Sequence, residues 1–131
     1  MLIRNHMSTP AVTVRSDADY KAALKVMQEN ALHHLPVVDA DGKLVGMAAE
    51  RDLLLAATHY LQSAVEVGDI MHRGVVTVTS EMSVAEAATL MVEKRIGGLP
   101  VLDGGKQLIG IITETDMFRA LVKSLDEPRA A

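Results

Sequence analysis

The strongest constraint on this chain is that it repeats. Laying residues 7–54 against residues 71–118 gives sixteen identities in 48 positions without a gap. The matches come in blocks: Met7/Met71, Val12-Thr13-Val14/Val76-Thr77-Val78, Leu35-Pro36-Val37/Leu99-Pro100-Val101, Asp39/Asp103, Gly46/Gly110, Glu50/Glu114 and Asp52/Asp116. A fixed period of this kind means two copies of one supersecondary unit. Units this short bury too little surface to be more than marginal alone. The sequence therefore divides into two domains, 1–64 and 65–131, expected to pack on one another.

Each copy reads β-α-β-β-α, an α+β pattern. "AVTV" (11–14) and "VVTV" (75–78) are short β-branched strands. A helix follows each. In the first copy Asp19 is the candidate cap, and Ala23, Val26 and Met27 mark the apolar face. In the second, Ser83 and Glu86 fit a capping box, with Val84, Ala87, Ala88 and Met91 at i, i+3, i+4 and i+7. "LPVVD" and "LPVLD" then lead through the Gly-containing turns "ADGK" and "GGKQ" into "LVGMAA" and "LIGIIT", which predicts two hairpins. Pro36 and Pro100 are expected among the first residues of their strands, where no ladder donor is needed. A last helix starts near Glu50 and near Glu114. Met117, Phe118, Leu121, Val122 and Leu125 give the second of these an apolar stripe. Residues 55–70 read as a largely helical link broken near Gly68.

The segment "GIITETD", residues 110–116, carries the chemistry. Thr113 is placed where a strand ends and a helix begins. Helix N-termini present unpaired N–H groups and partial positive charge, and these favour phosphate. An Asp one turn into the helix points back to the same opening, and a carboxylate accepts from a vicinal diol as in ribose recognition. The same residues also make an ordinary N-cap followed by acids that match the helix dipole. Glu50 and Asp52 repeat the pattern in the first copy, as either reading would require.

Composition narrows the partners. The chain is 49% hydrophobic and 23% charged, as in soluble globular proteins, and its apolar runs fall far short of the ~20 residues that span a bilayer. The N-terminus has no signal-peptide core and cysteine is absent, so a cytoplasmic location is expected. A net charge of −4, with no basic cluster, argues against a nucleic-acid backbone as partner. One Phe, two Tyr and no Trp leave no platform for stacking bases of a strand.

In order and twice over, the "DIM" at 69–71, "LPVVD" and "LPVLD", and the Gly-x-x-Thr-x-x-Asp of "GIITETD" resemble a tandem pair of CBS domains, also called a Bateman module. The resemblance implies two β-α-β-β-α units packed through their sheets with pseudo-two-fold symmetry. It implies a regulatory module that senses an adenosyl ligand such as AMP, ADP, ATP or S-adenosylmethionine and signals to an effector protein. It also implies two clefts. In the first, Thr113, Thr115 and Asp116 would face ribose and phosphate beside Ile111, and the purine would lie against Val12 and the backbone of Leu32, His33 and His34. The second would use Met47, Ala49, Arg51 and Asp52 with Val76, Ile96, Gly97 and Gly98. There Ala49 replaces the hydroxyl, which makes this the weaker site. The family further implies a homodimer through exposed helices. The rival reading is a ligand-free assembly module that has lost sensing.

Other constellations read more simply. His33-His34 lacks a nearby Cys or His to complete a metal set, so no metal site is expected. Gly97-Gly98 stands outside any phosphate-loop pattern and gives room near a cleft. The eight methionines are core or interface packing. No triad or paired-acid arrangement stands out, so no enzyme activity is expected and no cofactor is required.

Overall fold

The computed structural model describes residues 1–59 and 64–126. It holds two compact units. One runs from Ala11 to Val76 and contains β1 (Val14–Arg15), α1 (Tyr20–Asn30), β2 (His34–Val38), β3 (Leu44–Ala49) and α2 (Glu50–His59), with a 3-10 turn at Val67–Asp69. The other joins Met1–Pro10 to the chain from Thr77 onward. It contains a 3-10 turn at Ile3–Asn5, then β4 (Val78–Thr79), α3 (Val84–Lys94), β5 (Gly98–Leu102), β6 (Leu108–Thr113) and α4 (Glu114–Asp126). Each sheet has three strands, ordered β1-β2-β3 and β4-β5-β6, with the first pair parallel and the second antiparallel. The β-α-β-β-α order is therefore realised twice. Of the link expected over 55–70, residues 60–63 lie outside the described residues. α2 covers its start, and Gly68 lies inside the short 3-10 turn.

The helix signals act as the sequence suggests. Asp19 accepts a hydrogen bond from the Lys21 amide at 2.7 Å, and Ser83 Oγ accepts from the Glu86 amide at 3.0 Å. Tyr20, Ala23 and Met27 turn inward on α1, as do Val84, Ala87 and Met91 on α3. In the Ala11–Val76 unit the α1 residues join Val14, Leu35, Val37, Ala48, Leu53 and Val67 in one buried cluster. Both helices end in the left-handed conformation, at Ala31 (φ 53°) and Arg95 (φ 54°). The next amides, Leu32 and Ile96, return to the Met27 and Met91 carbonyls at 2.8 and 3.1 Å. This reversal sends residues 32–33 and 96–97 straight into β2 and β5.

Two strand expectations need correction. "AVTV" and "VVTV" pair only from Val14 and Val78, and Pro36 and Pro100 stand at the middle of their five-residue strands. The two facts have one cause. The Glu50 amide donates to the His33 carbonyl at 2.9 Å and Pro36 stands opposite Met47, so alternation along the ladder turns the Pro36 nitrogen away from β3 and toward β1. There a proline has no N–H to offer to residue 12. Pairing with β1 begins two residues later, at Val14↔Val37, and continues through the Ser16 amide to the Val38 carbonyl at 2.9 Å. Pro100 does the same to residue 76, and β4 begins at Val78↔Val101.

The repeated aspartates close the hairpins. Asp39 Oδ1 accepts from the Asp41 and Lys43 amides, both at 2.9 Å. Asp103 Oδ1 accepts from Gly105 and Gln107 at 2.9 and 2.8 Å. Gly42 takes the positive φ of the first turn (80°), and Lys106 takes it in the second (62°).

The free edge of each hairpin is covered by the segment that opens the other sequence repeat. His72 and Met47 exchange backbone hydrogen bonds at 2.9 and 3.0 Å on β3, and Ser8 and Ile111 exchange them at 2.9 and 3.0 Å on β6. The approach is close enough to require glycine. A Cβ on Gly110 would stand 2.6 Å from the Ser8 carbonyl oxygen and 3.2 Å from Met7 Sδ. On Gly46 it would run into Met71 Sδ and stand 2.9 Å from the His72 carbonyl oxygen. Forcing a methyl into such a contact costs about 1–3 kcal/mol. We therefore expect urea unfolding to show Gly110→Ala losing stability of that order. Gly46→Ala should lose less, because its nearest obstacle is the end of a flexible side chain.

Candidate functional site

β6 ends at Thr113 and α4 starts at Glu114, so Thr113 is the cap and Asp116 the third helical residue. The two bind each other reciprocally. Asp116 Oδ2 accepts from the Thr113 amide at 2.9 Å and from Thr113 Oγ1 at 3.1 Å, and the Asp116 amide reaches back to Thr113 Oγ1 at 3.4 Å. This is a capping box with Asp in place of Glu. Asp116 is buried, at 5% exposure, and among the described residues it is the single buried charged side chain of the core. Its second oxygen, Oδ1, lies 3.8 Å from Arg119 Nη1. The carboxylate thus commits one oxygen to the helix and faces a cation with the other. Thr115, the second helical residue, is exposed, and Ile111 is buried on β6.

The start of α2 is built from the same frame with different side chains. Ala49 ends β3 and has no hydroxyl with which to cap, so Asp52 turns elsewhere. Asp52 Oδ2 lies 2.7 Å from His72 Nε2, with the Asp52 side chain 32% exposed. Glu50, the first helical residue, lies 3.2 Å from His33 Nδ1 through Oε1. Met47 is buried, Ala49 is half-buried and Arg51 is exposed.

The remaining residues of the two expected sets are placed locally as follows. Val12 and Leu32 are half-buried and pack on the core cluster of the Ala11–Val76 unit. His33 is exposed and His34 opens β2. Val76, half-buried, is the last residue of the Ala11–Val76 unit, while in the other unit Ile96 and Gly97 lead into β5 and Gly98 is its buried first residue. Sequence reasoning overlooked the carboxylate partners His72 and Arg119. The first was legible in part: His72 stands directly after the repeated Met71, as Ser8 stands after Met7. Among the described residues no three His, Asp or Glu side chains gather as a metal site, and no helix is long and apolar enough to cross a membrane.

The outer face of α4 is apolar. Phe118 (65%), Leu121 (52%), Val122 (58%) and Leu125 (71%) are exposed, and Val92 on α3 is exposed beside a shallow hollow that Met91, Met117 and Phe118 also line. Met117, expected on this stripe, is half-buried instead.

Comparison with known proteins gives a consistent family. The CBS domain model matches residues 3–59 and again residues 67–123. A CBS domain-containing protein of Dictyostelium discoideum is 38% identical, the match covering 96% of this chain and 94% of that protein. The CBS domain pair of protein MJ0100, solved in complex with 5′-methylthioadenosine and S-adenosyl-L-methionine, superposes with a TM-score of 0.86 at 31% identity, over 95% of this chain and 98% of that one. CBSX2, solved in complex with AMP, superposes with a TM-score of 0.82 at 28% identity, over 95% and 98%. Several curated relatives carry enzyme names, and the match spans only 22–23% of the length of each. This chain belongs to the CBS-domain family, as two CBS domains in tandem.

Proposed function

We propose that the chain is a cytoplasmic regulatory module that binds an adenosyl ligand and passes its occupancy to an effector protein, with no catalytic step of its own and no required cofactor. AMP, ADP, ATP and S-adenosylmethionine are the candidate ligands. The observation that carries this reading is that CBS pairs matching the chain over nearly its whole length are solved with adenosyl compounds bound. The repeats 1–64 and 65–131 are taken as the two domains. Thr113, Thr115 and Asp116, with Ile111, are the proposed ribose and phosphate residues, and Val12, Leu32, His33 and His34 the purine residues. The set of Met47, Ala49, Arg51, Asp52, Val76, Ile96, Gly97 and Gly98 is proposed as the weaker site.

The capping box does not compete with this role, because a carboxylate has two oxygens. Asp116 Oδ2 holds Thr113 and Oδ1 is the acceptor proposed for the ribose diol. The informative substitution is Asp116→Asn. An amide oxygen can still accept from the Thr113 N–H, while the other atom changes from acceptor to donor. A hydrogen bond to a charged group contributes roughly 1.5–3 kcal/mol, so calorimetry should show nucleotide binding weakened about ten- to a hundredfold with the helix cap preserved. Thr113→Ala should weaken binding less, through loss of a neutral hydroxyl, and should mainly lower thermal stability. Asp52→Ala should have a smaller effect on binding than Asp116→Asn. Wild type that binds none of the four candidates at millimolar concentration would instead favour the ligand-free assembly module.

The exposed stripe of Phe118, Leu121, Val122 and Leu125 supports a second element of the proposal, a homodimer through helices. Light scattering at micromolar concentration should report twice the 14.1 kDa chain mass. Leu121→Glu together with Leu125→Glu should return the monomer.

A further inference from the structure

We propose that His72 is a built-in competitor at the start of α2: its imidazole holds one oxygen of the Asp52 carboxylate and thereby lowers the affinity of the second adenosyl site. This rests on the proposed reading of the helix starts as ligand sites. Asp52 occupies the same place in α2 as Asp116 in α4, third in the helix. Asp116 is tied to its own cap, Thr113, and leaves Oδ1 toward Arg119. Asp52 has no capping hydroxyl before it, since Ala49 stands there, and its Oδ2 is taken by His72 Nε2 at 2.7 Å. A carboxylate only accepts hydrogen bonds, so Nε2 donates. A ribose diol would bind the same carboxylate in the same way, as a donor. Oδ1 is left to the ligand, as at Asp116, but a diol that sets one hydroxyl on each oxygen needs Oδ2 as well, and there ring and ligand compete.

The competitor is held in place by the fold. The His72 backbone is fixed to β3 by two hydrogen bonds with Met47, at 2.9 and 3.0 Å, which sets its ring beside the first turn of α2. Its side chain is 71% exposed, so the ring can swing away when a ligand arrives. The contact acts as a weak, reversible latch and not as a plug. In the other unit the position of His72 is filled by Ser8, which makes the same backbone bridge, at 2.9 and 3.0 Å to Ile111. His72→Ser therefore removes the ring with a residue that this backbone frame already accommodates.

The test is calorimetric titration of the full chain with AMP, and separately with S-adenosylmethionine, for wild type, His72→Ser, His72→Gln and His72→Ser combined with Asp52→Ala. A solvent-exposed contact of this kind corresponds to about a two- to fivefold change in affinity. His72→Ser should strengthen the weaker of two binding events by about that factor and leave the Asp116-dependent event unchanged. His72→Gln, which keeps a donor, should gain less. Adding Asp52→Ala should cancel the gain. Unchanged binding in His72→Ser, or a gain that survives Asp52→Ala, overturns the proposal. Binding by His72→Ser alone, with none by wild type, would uphold the latch and sink the Thr113–Asp116 site. Binding by no variant would sink both.

Discussion

The structure depends first on how the free edges of its two hairpins are closed. A three-stranded sheet with one short parallel strand leaves a row of unpaired N–H and C=O groups on its last strand. Here the opening segment of each sequence repeat is spent on that edge in the unit built by the other repeat: Met71 and His72 on β3, Met7 and Ser8 on β6. Backbone approaches backbone so closely that only glycine fits at 46 and 110, and a methionine lies over each. Two of the repeated identities, Met7/Met71 and Gly46/Gly110, are thereby one contact seen twice. The compact units are consequently offset from the sequence repeats, with Met1–Pro10 belonging with the chain from Thr77 onward.

This edge contact also sets what surrounds the start of the following helix. β3 and β6 run without a loop into α2 and α4, and at α2 the side chain that follows the repeated methionine, His72, reaches the first turn of the helix. At α4 the strand ends in Thr113, and hydroxyl and carboxylate satisfy one another as a cap. At α2 the strand ends in Ala49, the cap is missing and the carboxylate is satisfied by an imidazole from the edge segment. One backbone frame thus yields two electrostatically different openings through substitutions at two positions. Capping and ligand recognition draw on the same polar groups because both answer the same need, the unpaired amides and partial positive charge of a helix start.

Much of this was legible in the chain itself. The 7–54/71–118 match fixed the duplication. Period-2 and period-3.6 patterns placed "LVGMAA", "LIGIIT" and the inward faces of α1 and α3, and Asp19 and Ser83 marked helix starts that the structure confirms. These signals are local: caps, turns and amphipathic faces are decided by residues within a few positions of one another. The first strands were read too long because their pairing is limited by Pro36 and Pro100, on a strand more than twenty residues away, whose missing N–H stops the ladder short of Val12 and Val76. The prolines themselves were misplaced within their strands because a proline in mid-strand is tolerated only on a side where no partner needs its donor.

The sequence alone determined the number of units, their order of elements and the residue types at each strand-to-helix junction, since these follow from periodicity and short-range chemistry. Only the tertiary structure decided which oxygen of Asp116 is already bonded, that Asp52 is held by His72 and not by its own helix, and why glycine recurs at 46 and 110. The first is a matter of geometry within one helical turn; the other two join distant residues, more than a hundred positions apart for Ser8 and Ile111, and no local pattern encodes a contact that exists only after two such segments have been laid side by side.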